Sequence, residues 1–204
     1  MTDNSLVVLR RDPVMRRLVE EHDPYTEREW APFERIVVAV AYQSVSTASA
    51  AAVTERVFEA LGGEVTPGRA LEADESALRE AGLSARKVEY VRNAARAFRE
   101  SDFSREALAD RSDEEVVETL TEISGVGEWT AEMFLLFVLE RDDVLPLGDL
   151  AVRRGIEDLY GEGEGDGEDG DLTRAEMRNI AERWRPYRSL ATRYIWAEYM
   201  ADDG

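Results

Sequence analysis

The chain of 204 residues contains no cysteine, one histidine and one lysine. Without cysteine, disulfides, thiolate zinc sites, thiolate-held iron–sulfur clusters and a cysteine nucleophile are excluded. Long apolar runs are also missing: the longest, residues 36–42 and 133–139, have seven residues each, whereas a membrane span needs about 20. No signal segment is recognisable at the start. We therefore expect a protein of the reducing cytoplasm that does not enter a membrane.

Basic charge is scarce as well. Lysine and arginine number 25 against 44 acidic residues, which gives a net charge of -19, and Lys87 is the only lysine. A solubilising surface or an acidic interaction protein has this composition, but neither explains the selective loss of lysine. Adaptation to molar salt explains both features. Such acidity argues against nucleic acid as a partner, yet at about 1 M salt the Debye length is only about 3 Å, so net charge does not exclude one.

Helical signals dominate the pattern of apolar and capping residues. They predict helices over residues 12–21, 33–42, 47–61, 74–81, 84–99, 113–123, 129–139 and 150–160. Only residues 65–67 and 144–147 have an extended pattern, so the predicted class is all-α. Residues 161–171 hold five glycines and six acids, which predicts an acidic, solvated loop.

A glycine-rich turn, Ser124-Gly125-Val126-Gly127, separates two of the predicted helices. Glycines at 125 and 127 permit positive φ and leave the main chain bare. N–H groups at the start of the next helix then suit a phosphate oxygen without any side-chain charge. A plain tight corner between two helices explains the same glycines equally well.

Asp149 follows Pro146 and Gly148 and directly precedes the predicted helix 150–160. An acid in this place is commonly an N-cap. The helix dipole also stabilises its negative charge, which is what a group needs if it is to stabilise positive charge developing on a sugar. The two interpretations are compatible.

These two motifs are familiar in combination. Gly-Val-Gly-x-Trp-Thr-Ala at 125–131, followed by Leu-Pro-x-x-Asp at 145–149, resembles the helix–hairpin–helix/Gly-Pro-Asp superfamily of base-excision DNA glycosylases. The alkylpurine branch, 3-methyladenine glycosylase type II, is the most similar. Its opening helix, its glutamine-containing loop and its closing helix pair resemble residues 12–22, 43–46 and 183–196. The resemblance therefore covers most of the chain.

The resemblance implies the helix–hairpin–helix glycosylase fold, with two helical subdomains and the active-site cleft between them. Residues 30–141 form one expected subdomain, and residues 1–29 with 142–204 form the other. The catalytic aspartate of the family falls on Asp149. The implied base pocket consists of Trp129, Met133 and Trp196.

DNA contacts are implied by the same resemblance. Backbone contacts fall on the hairpin residues Gly125, Val126, Gly127 and Thr130. The loop whose side chain wedges into the duplex falls on Gln43, Ser44 and Val45, although Ser44 is small for that task. A K⁺ or Na⁺ ion is implied on the main-chain carbonyls of Thr121, Ile123 and Val126.

Trp129 stands where bifunctional relatives carry a lysine nucleophile, which implies a monofunctional hydrolase without lyase activity. No cofactor is expected to be required for catalysis, and no iron–sulfur cluster. The implied partner is double-stranded DNA with damaged bases, bound by a monomer near the nucleoid of a prokaryotic cytoplasm. Glu128 departs from the branch, which usually has a basic residue there, and weakens the attraction for phosphate.

Three other functions remain open from the sequence. A non-catalytic helix–hairpin–helix DNA-binding module would share the glycine turn but has no need of Asp149. A glycosylase of the same superfamily for another damaged or mismatched base would share both. An acidic helical interaction protein would leave the glycine turn and the clustered arginines unexplained.

Overall fold

The structure is a computed structural model that describes residues 3–43, 47–164 and 172–202. Within these residues it contains helices and no strand, which confirms the predicted all-α class. No helix of the described ranges is long and apolar enough to cross a membrane. The α-helices are α1 (Asp3–Leu9), α2 (Pro13–Glu21), α3 (Pro32–Tyr42), α4 (Thr47–Ala60), α5 (Pro67–Glu72), α6 (Glu75–Glu80), α7 (Ala85–Glu100), α8 (Arg105–Leu108), α9 (Asp113–Thr121), α10 (Glu128–Phe137), α11 (Leu150–Glu164), α12 (Arg174–Ala181) and α13 (Arg188–Asp202).

Polar caps fix where several of these helices begin. The Asp12 carboxylate accepts the first free N–H groups of α2, those of Val14 and Met15. Ser112 and Thr173 each form a capping box with the glutamate three residues on, which opens α9 and α12. Each cap satisfies N–H groups that the helix itself leaves without a partner, so the sequence predicted these starts correctly.

The sequence-based prediction was wrong at several short segments. Helices α1, α5 and α8 were not predicted, and Pro67, predicted as extended, is the first residue of α5. Thr66 supplies the cap there, and proline suits the first helical position because it lacks an N–H. Helix α11 continues through Glu164, so the loop predicted over 161–171 is wrong for residues 161–164. Extending an existing helix costs far less than starting one. Residues 165–171 lie outside the described ranges.

Contacts divide the chain into two compact units, one formed by Glu29–Glu140 and the other by Met1–Arg28 with Arg141–Gly204. In the unit Glu29–Glu140, the apolar helix α3 packs against α7 and α10. Every residue of α3 from Phe33 to Ala41 except Glu34 is buried. Helix α10 is likewise buried from Thr130 onwards except at Glu132. These helices hold the glycine turn, which lies between α9 and α10.

In the unit Met1–Arg28 with Arg141–Gly204, α13 packs against α11 and α2. Trp184 is fully buried. Its indole N–H donates to the buried Asp12 carboxylate at 3.4 Å, and Arg183 pairs with the same carboxylate at 3.5 Å. Burial, and then the nearby Asp12 charge, raise the pKa of the Tyr160 phenol. The carboxylate that caps α2 is thus also a polar centre of this unit.

Candidate active site

Asp149 is the N-cap of α11, as the sequence predicted. Its Oδ1 accepts the N–H of Val152 at 3.0 Å, the capping hydrogen bond three residues on. Arg153 points back from the first turn and donates to the carbonyls of Leu147 and Gly148 at 2.8 and 3.1 Å. The first turn of α11 therefore fixes the loop that precedes it, and this places the Asp149 carboxylate.

Trp196, on α13, holds the same carboxylate oxygen. Its indole N–H donates to Asp149 Oδ1 at 3.4 Å, and Trp196 itself is 5% exposed. The two helices approach closely because α11 carries Gly155, where an added Cβ would lie 2.5 Å from Ile195 Cγ2. The structure thus brings together two of the predicted site residues, Asp149 and Trp196.

Tyr25 is an aromatic neighbour of this pair that sequence reasoning missed. Its ring meets Trp196 edge-on, with centroids 5.7 Å apart and planes at 75°. The main chain of Tyr25 is fixed on α13, since its N–H donates to the Arg193 carbonyl at 3.0 Å and Arg193 donates back to the Tyr25 carbonyl at 3.2 Å. Tyr25 belongs to an irregular segment without helical periodicity, so only its aromatic character in a polar stretch could have signalled it.

The hairpin, residues 123–127, turns sharply between α9 and α10. The Val126 N–H donates to the Ile123 carbonyl at 2.9 Å, and Gly125 has a φ of +101°. This is the hydrogen bond and the left-handed third residue of a type II turn. A Cβ at position 125 would lie 2.1 Å from the Tyr90 ring. Glycine is required here both by the backbone conformation and by the close approach of α7.

Gly127 has a different backbone conformation from the one predicted for it. Its φ of -96° is accessible to any residue, so the expectation of positive φ was wrong at this position. It is the N-cap of α10, is exposed, and has nothing within 4 Å of an added Cβ. The glycine leaves open space in front of the first N–H groups of α10, where a phosphate oxygen has room to approach.

Gln43 and Thr130 support the hairpin from inside. The Gln43 side-chain amide donates to the Gly125 carbonyl at 3.0 Å and to Thr130 Oγ1 at 3.4 Å. Thr130 is 1% exposed, and its hydroxyl accepts the Gln43 hydrogen bond in the interior. Its predicted contact with the DNA backbone stays a prediction. The Gln43 amide is likewise bonded to the hairpin. Ser44 and Val45, the other predicted wedge residues, lie outside the described residues.

The other predicted pocket residues lie on α10. Trp129 is half-buried, and Met133 is 2% exposed. Both positions belong to a mostly apolar helix, in which Glu128, Thr130 and Glu132 are the polar residues. Their predicted part in a base pocket stays a prediction.

The side chains of α7 beside the hairpin carry positive charge. Asn93 donates to the Ser124 carbonyl at 3.2 Å, which fixes α7 to the turn. Arg96 donates to the Asn93 side chain at 2.6 Å, and the Arg86 guanidinium lies 5.3 Å from the centroid of the Tyr90 ring. Both arginines are exposed, and the bonds described here join them to neutral groups. Two exposed acids, Glu89 on α7 and Glu122 at the C-cap of α9, belong to the same two elements. Some cationic charge therefore stands next to the hairpin in spite of the acidic composition.

Lys87 is a further cation of α7 and carries the only side-chain amine of the sequence. Its Nζ donates to the Ala41 carbonyl at 2.8 Å, at the end of α3. Burial lowers the pKa of this ammonium group. Lys87 thus stabilises the end of the helix that leads to Gln43.

The carbonyls proposed for a monovalent cation have suitable chemistry. Thr121 is the last residue of α9, where helix carbonyls lack intrahelical partners. The Ile123 carbonyl accepts one hydrogen bond, from Val126, and keeps a second lone pair. Neutral main-chain oxygens of this kind fit K⁺ or Na⁺. The ion itself stays a proposal.

A second cluster, Glu21, His22 and Glu198, brings three possible metal ligands within 4.8 Å of one another. Arg17 already forms ion pairs with both glutamates, at 2.8 and 2.7 Å. His22 hydrogen-bonds to Glu198 and is half-buried. An arginine that joins both acids makes this cluster an ion-pair network.

Three features define the class of helix–hairpin–helix proteins with a Gly/Pro-Asp motif, and all three are present in the described residues. They are a helical fold, a glycine hairpin with a type II turn, and an aspartate that caps the helix after the next loop. The model of the HhH-GPD superfamily of base excision DNA repair proteins matches residues 37–186. The chain belongs to this superfamily.

Individual relatives point in the same direction. DNA-3-methyladenine glycosylase 1 of Schizosaccharomyces pombe is 34% identical over 169 residues, which cover 81% of this chain and 71% of the relative. Among solved structures, a 3-methyladenine DNA glycosylase of the same yeast in complex with abasic DNA matches with a TM-score of 0.84 and 30% identity over 95% of each chain. A DNA-3-methyladenine glycosidase from Bacillus halodurans matches with a TM-score of 0.76 and 31% identity, over 99% of this chain and 92% of that one. The resemblance to the alkylpurine branch is confirmed.

Proposed function

We propose that the protein is a monofunctional DNA glycosylase that hydrolyses the N-glycosidic bond of alkylated purines in double-stranded DNA. The observation that carries the proposal is the placement of Asp149. Its carboxylate stands at the N-terminus of α11, with one oxygen fixed by a main-chain N–H and by the Trp196 indole N–H. Membership of the superfamily and the names of the relatives support this function.

The chemistry needs a fixed negative charge more than a proton donor. Cleavage of a glycosidic bond passes through a state in which the sugar carries oxocarbenium-like positive charge, and a carboxylate stabilises that charge while water attacks C1′. The helix dipole favours the negative charge of Asp149, and its two N–H partners keep it oriented. An N-alkylated purine is cationic and leaves as a neutral base, so little general acid catalysis is required.

Recognition of such a base follows from its charge. The damaged nucleotide is flipped out of the duplex at a cost of a few kcal/mol, which damage reduces. Aromatic rings attract a cationic purine by about 0.5–2 kcal/mol each through cation–π interaction. We assign this role to Trp129 and Trp196, with Met133 as a further apolar wall.

The hairpin binds the DNA backbone in this proposal. Exposed Gly127 leaves room for a phosphate oxygen in front of α10, where main-chain N–H groups and the helix dipole attract an anion. Thr121, Ile123 and Val126 would hold a K⁺ or Na⁺ ion through their carbonyls, and this ion would supply positive charge next to the phosphate. Arg86 and Arg96 add long-range attraction from α7.

The first expected result concerns the product. Incubation with methylated duplex DNA should release free alkylated purine and leave an intact abasic site, which breaks only on heating in alkali. Borohydride should trap no covalent enzyme–DNA adduct, because Trp129 fills the position of the lysine nucleophile and the only lysine is bonded to Ala41. Chromatography of the bases released from a panel of damaged duplexes measures the specificity.

A bifunctional glycosylase should be trapped in parallel as the positive control. An adduct that disappears in Lys87→Arg would show that the protein is a lyase and would overturn the monofunctional mechanism. DNA binding without release of any base from the panel would instead identify a non-catalytic DNA-binding module.

The second expected result concerns salt. At low ionic strength the net charge of -19 repels DNA, and added salt screens this repulsion before it weakens the phosphate contacts. We therefore expect the excision rate to rise to a maximum well above physiological ionic strength, near about 1 M KCl, where the Debye length is about 3 Å. Excision rates from low to molar KCl, with circular dichroism at each point, test this.

Circular dichroism separates a loss of folding from a loss of binding in that series. A rate that falls steadily from low salt while the fold stays intact would show that counterion release dominates. Adaptation to molar salt would then be the wrong explanation for the composition.

A further inference from the structure

Ser189, in the first turn of α13, is bonded at three points to the segment 141–144. Its hydroxyl donates to the Arg141 carbonyl at 2.6 Å and accepts the Val144 N–H at 2.9 Å, while its own N–H donates to the Asp142 carbonyl at 3.0 Å. Ser189 is 6% exposed, so water does not readily replace these bonds. The hydroxyl acts as donor and acceptor at once, and it closes this segment onto the helix.

Arg188 adds a second attachment at the same place. It donates to Asp143 Oδ1 at 2.6 Å and to the Asp143 carbonyl at 2.9 Å. Arg185 bonds to the same carboxylate. Residues 141–144 are thus held at each position by the start of α13 and the residues just before it.

The main chain from residue 144 to Asp149 is short and is constrained by hydrogen bonds. The Leu147 N–H donates to the Leu145 carbonyl, and the Asp149 N–H donates to the Pro146 carbonyl, both at 2.9 Å. Two tight turns, which share Pro146 with its fixed φ, therefore connect Leu145, the residue after Val144, to Asp149. A shift of the main chain at Val144 is transmitted to the carboxylate.

The same helix holds the far end of the segment. Trp196, which donates to Asp149 Oδ1, follows Ser189 by seven residues, which is two helical turns on the same face. One face of α13 thus fixes both the start of the segment, through Ser189, and its end, through Trp196.

We propose that Ser189 is a positioning residue for Asp149: by fixing residues 141–144 on α13, it sets where the carboxylate stands relative to the sugar. This inference rests on the proposed function, in which Asp149 stabilises the oxocarbenium-like state. A displacement of about 1 Å in such a group can cost about 10²-fold in rate. The residue itself does not touch the substrate.

The test compares single-turnover excision of 7-methylguanine from duplex DNA by Ser189→Ala, Ser189→Thr and Thr192→Val. Loss of the hydroxyl in Ser189→Ala should lower the rate by about 10–100-fold, while the Kd for duplex DNA with an abasic-site analogue changes less than about twofold. Ser189→Thr keeps the hydroxyl and should restore most of the rate. Thr192→Val removes a buried hydroxyl from the same helix that has no hydrogen-bond partner among the described residues, and it should leave the rate unchanged.

A double-mutant cycle with Asp149→Asn separates positioning from a general structural role. In the Asp149→Asn background, Ser189→Ala should change the residual rate less than about twofold, because there is no longer a carboxylate to place. An equal loss in both backgrounds would overturn the proposal, as would a wild-type rate in Ser189→Ala. Failure of the proposed function is distinguishable, because then the wild type would release no base, or Asp149→Asn alone would leave the rate unchanged.

Arg188→Lys keeps the inference testable if Ser189→Ala does not fold. It retains one contact to Asp143 in place of several, so a smaller loss of rate is expected, again confined to the background that has the carboxylate. Thermal unfolding of every variant, with all rates measured well below each Tm, ensures that the rates describe folded protein. A loss in Arg188→Lys that persists unchanged in the Asp149→Asn background would contradict the proposal.

Discussion

Replacement of Asp149 by asparagine should lower the excision rate by about 10²–10³-fold or more, which is typical of removing one electrostatic stabiliser of a transition state. The amide has nearly the same shape, its oxygen can accept the N–H groups of Val152 and Trp196, and asparagine is as good an N-cap as aspartate. What it lacks is the negative charge that offsets the oxocarbenium charge. Single-turnover excision of 3-methyladenine and 7-methylguanine measures the effect.

Two measurements make this result specific. The Tm and the Kd for duplex DNA with an abasic-site analogue should change little in Asp149→Asn, because neither the cap nor the hairpin is altered. Asp149→Ala is the matched comparison: it loses the charge and the cap together, so it should be equally inactive and also less stable by about 1 kcal/mol. Excision at the wild-type rate by Asp149→Asn would remove this residue from the catalytic role.

Alanine at the two hairpin glycines should affect different properties, namely stability at Gly125 and DNA affinity at Gly127. Gly125→Ala forces a left-handed conformation on a residue with a side chain and drives its Cβ into the Tyr90 ring. Backbone strain of about 1–3 kcal/mol and overpacking of about 1–3 kcal/mol should together lower the free energy of unfolding by about 2–6 kcal/mol. Urea unfolding monitored by circular dichroism measures this loss.

Gly127→Ala is the control on the same turn. Its φ of -96° suits alanine, and its Cβ meets nothing within 4 Å, so stability should change by less than about 1 kcal/mol. The new methyl group occupies the space in front of α10, so the affinity for duplex DNA should fall instead. Equal DNA affinity of Gly127→Ala and the wild type would show that phosphate does not bind at this helix terminus.

Local signals explain which helices the sequence could predict. Caps such as Asp12, Ser84 and Ser112 act within three residues of themselves, and the apolar pattern of α3 and α10 is visible without any partner. Helices α1, α5 and α8 have seven, six and four residues, too few for a periodic pattern to stand out. Their stability comes from packing, which a single sequence does not display.

In the candidate site, too, residues in local motifs could be predicted and residues placed by long-range contacts could not. Asp149 and the glycine turn were predictable because each stands in a local motif. Tyr25 and Ser189 were not predictable in this way, because Tyr25 contacts Trp196 and Ser189 bonds to residues 141–144 across long separations in the chain. Gly125 and Gly127 have the same residue type, yet only the Tyr90 ring, contributed by α7, gives one of them a steric requirement that the other lacks.

The hairpin also bears on how the surface of this protein can evolve. A phosphate contact made by main-chain N–H groups is specified by the shape of a turn, which depends on the buried fit of Gly125 against Tyr90 and the internal bonds of Gln43. Substitutions on the exposed side chains around it change the charge and leave that shape alone. In the proposed function, acidic residues such as Glu122 and Glu128 can therefore accumulate next to the turn during adaptation to concentrated salt, while the main-chain groups proposed to bind phosphate keep their arrangement.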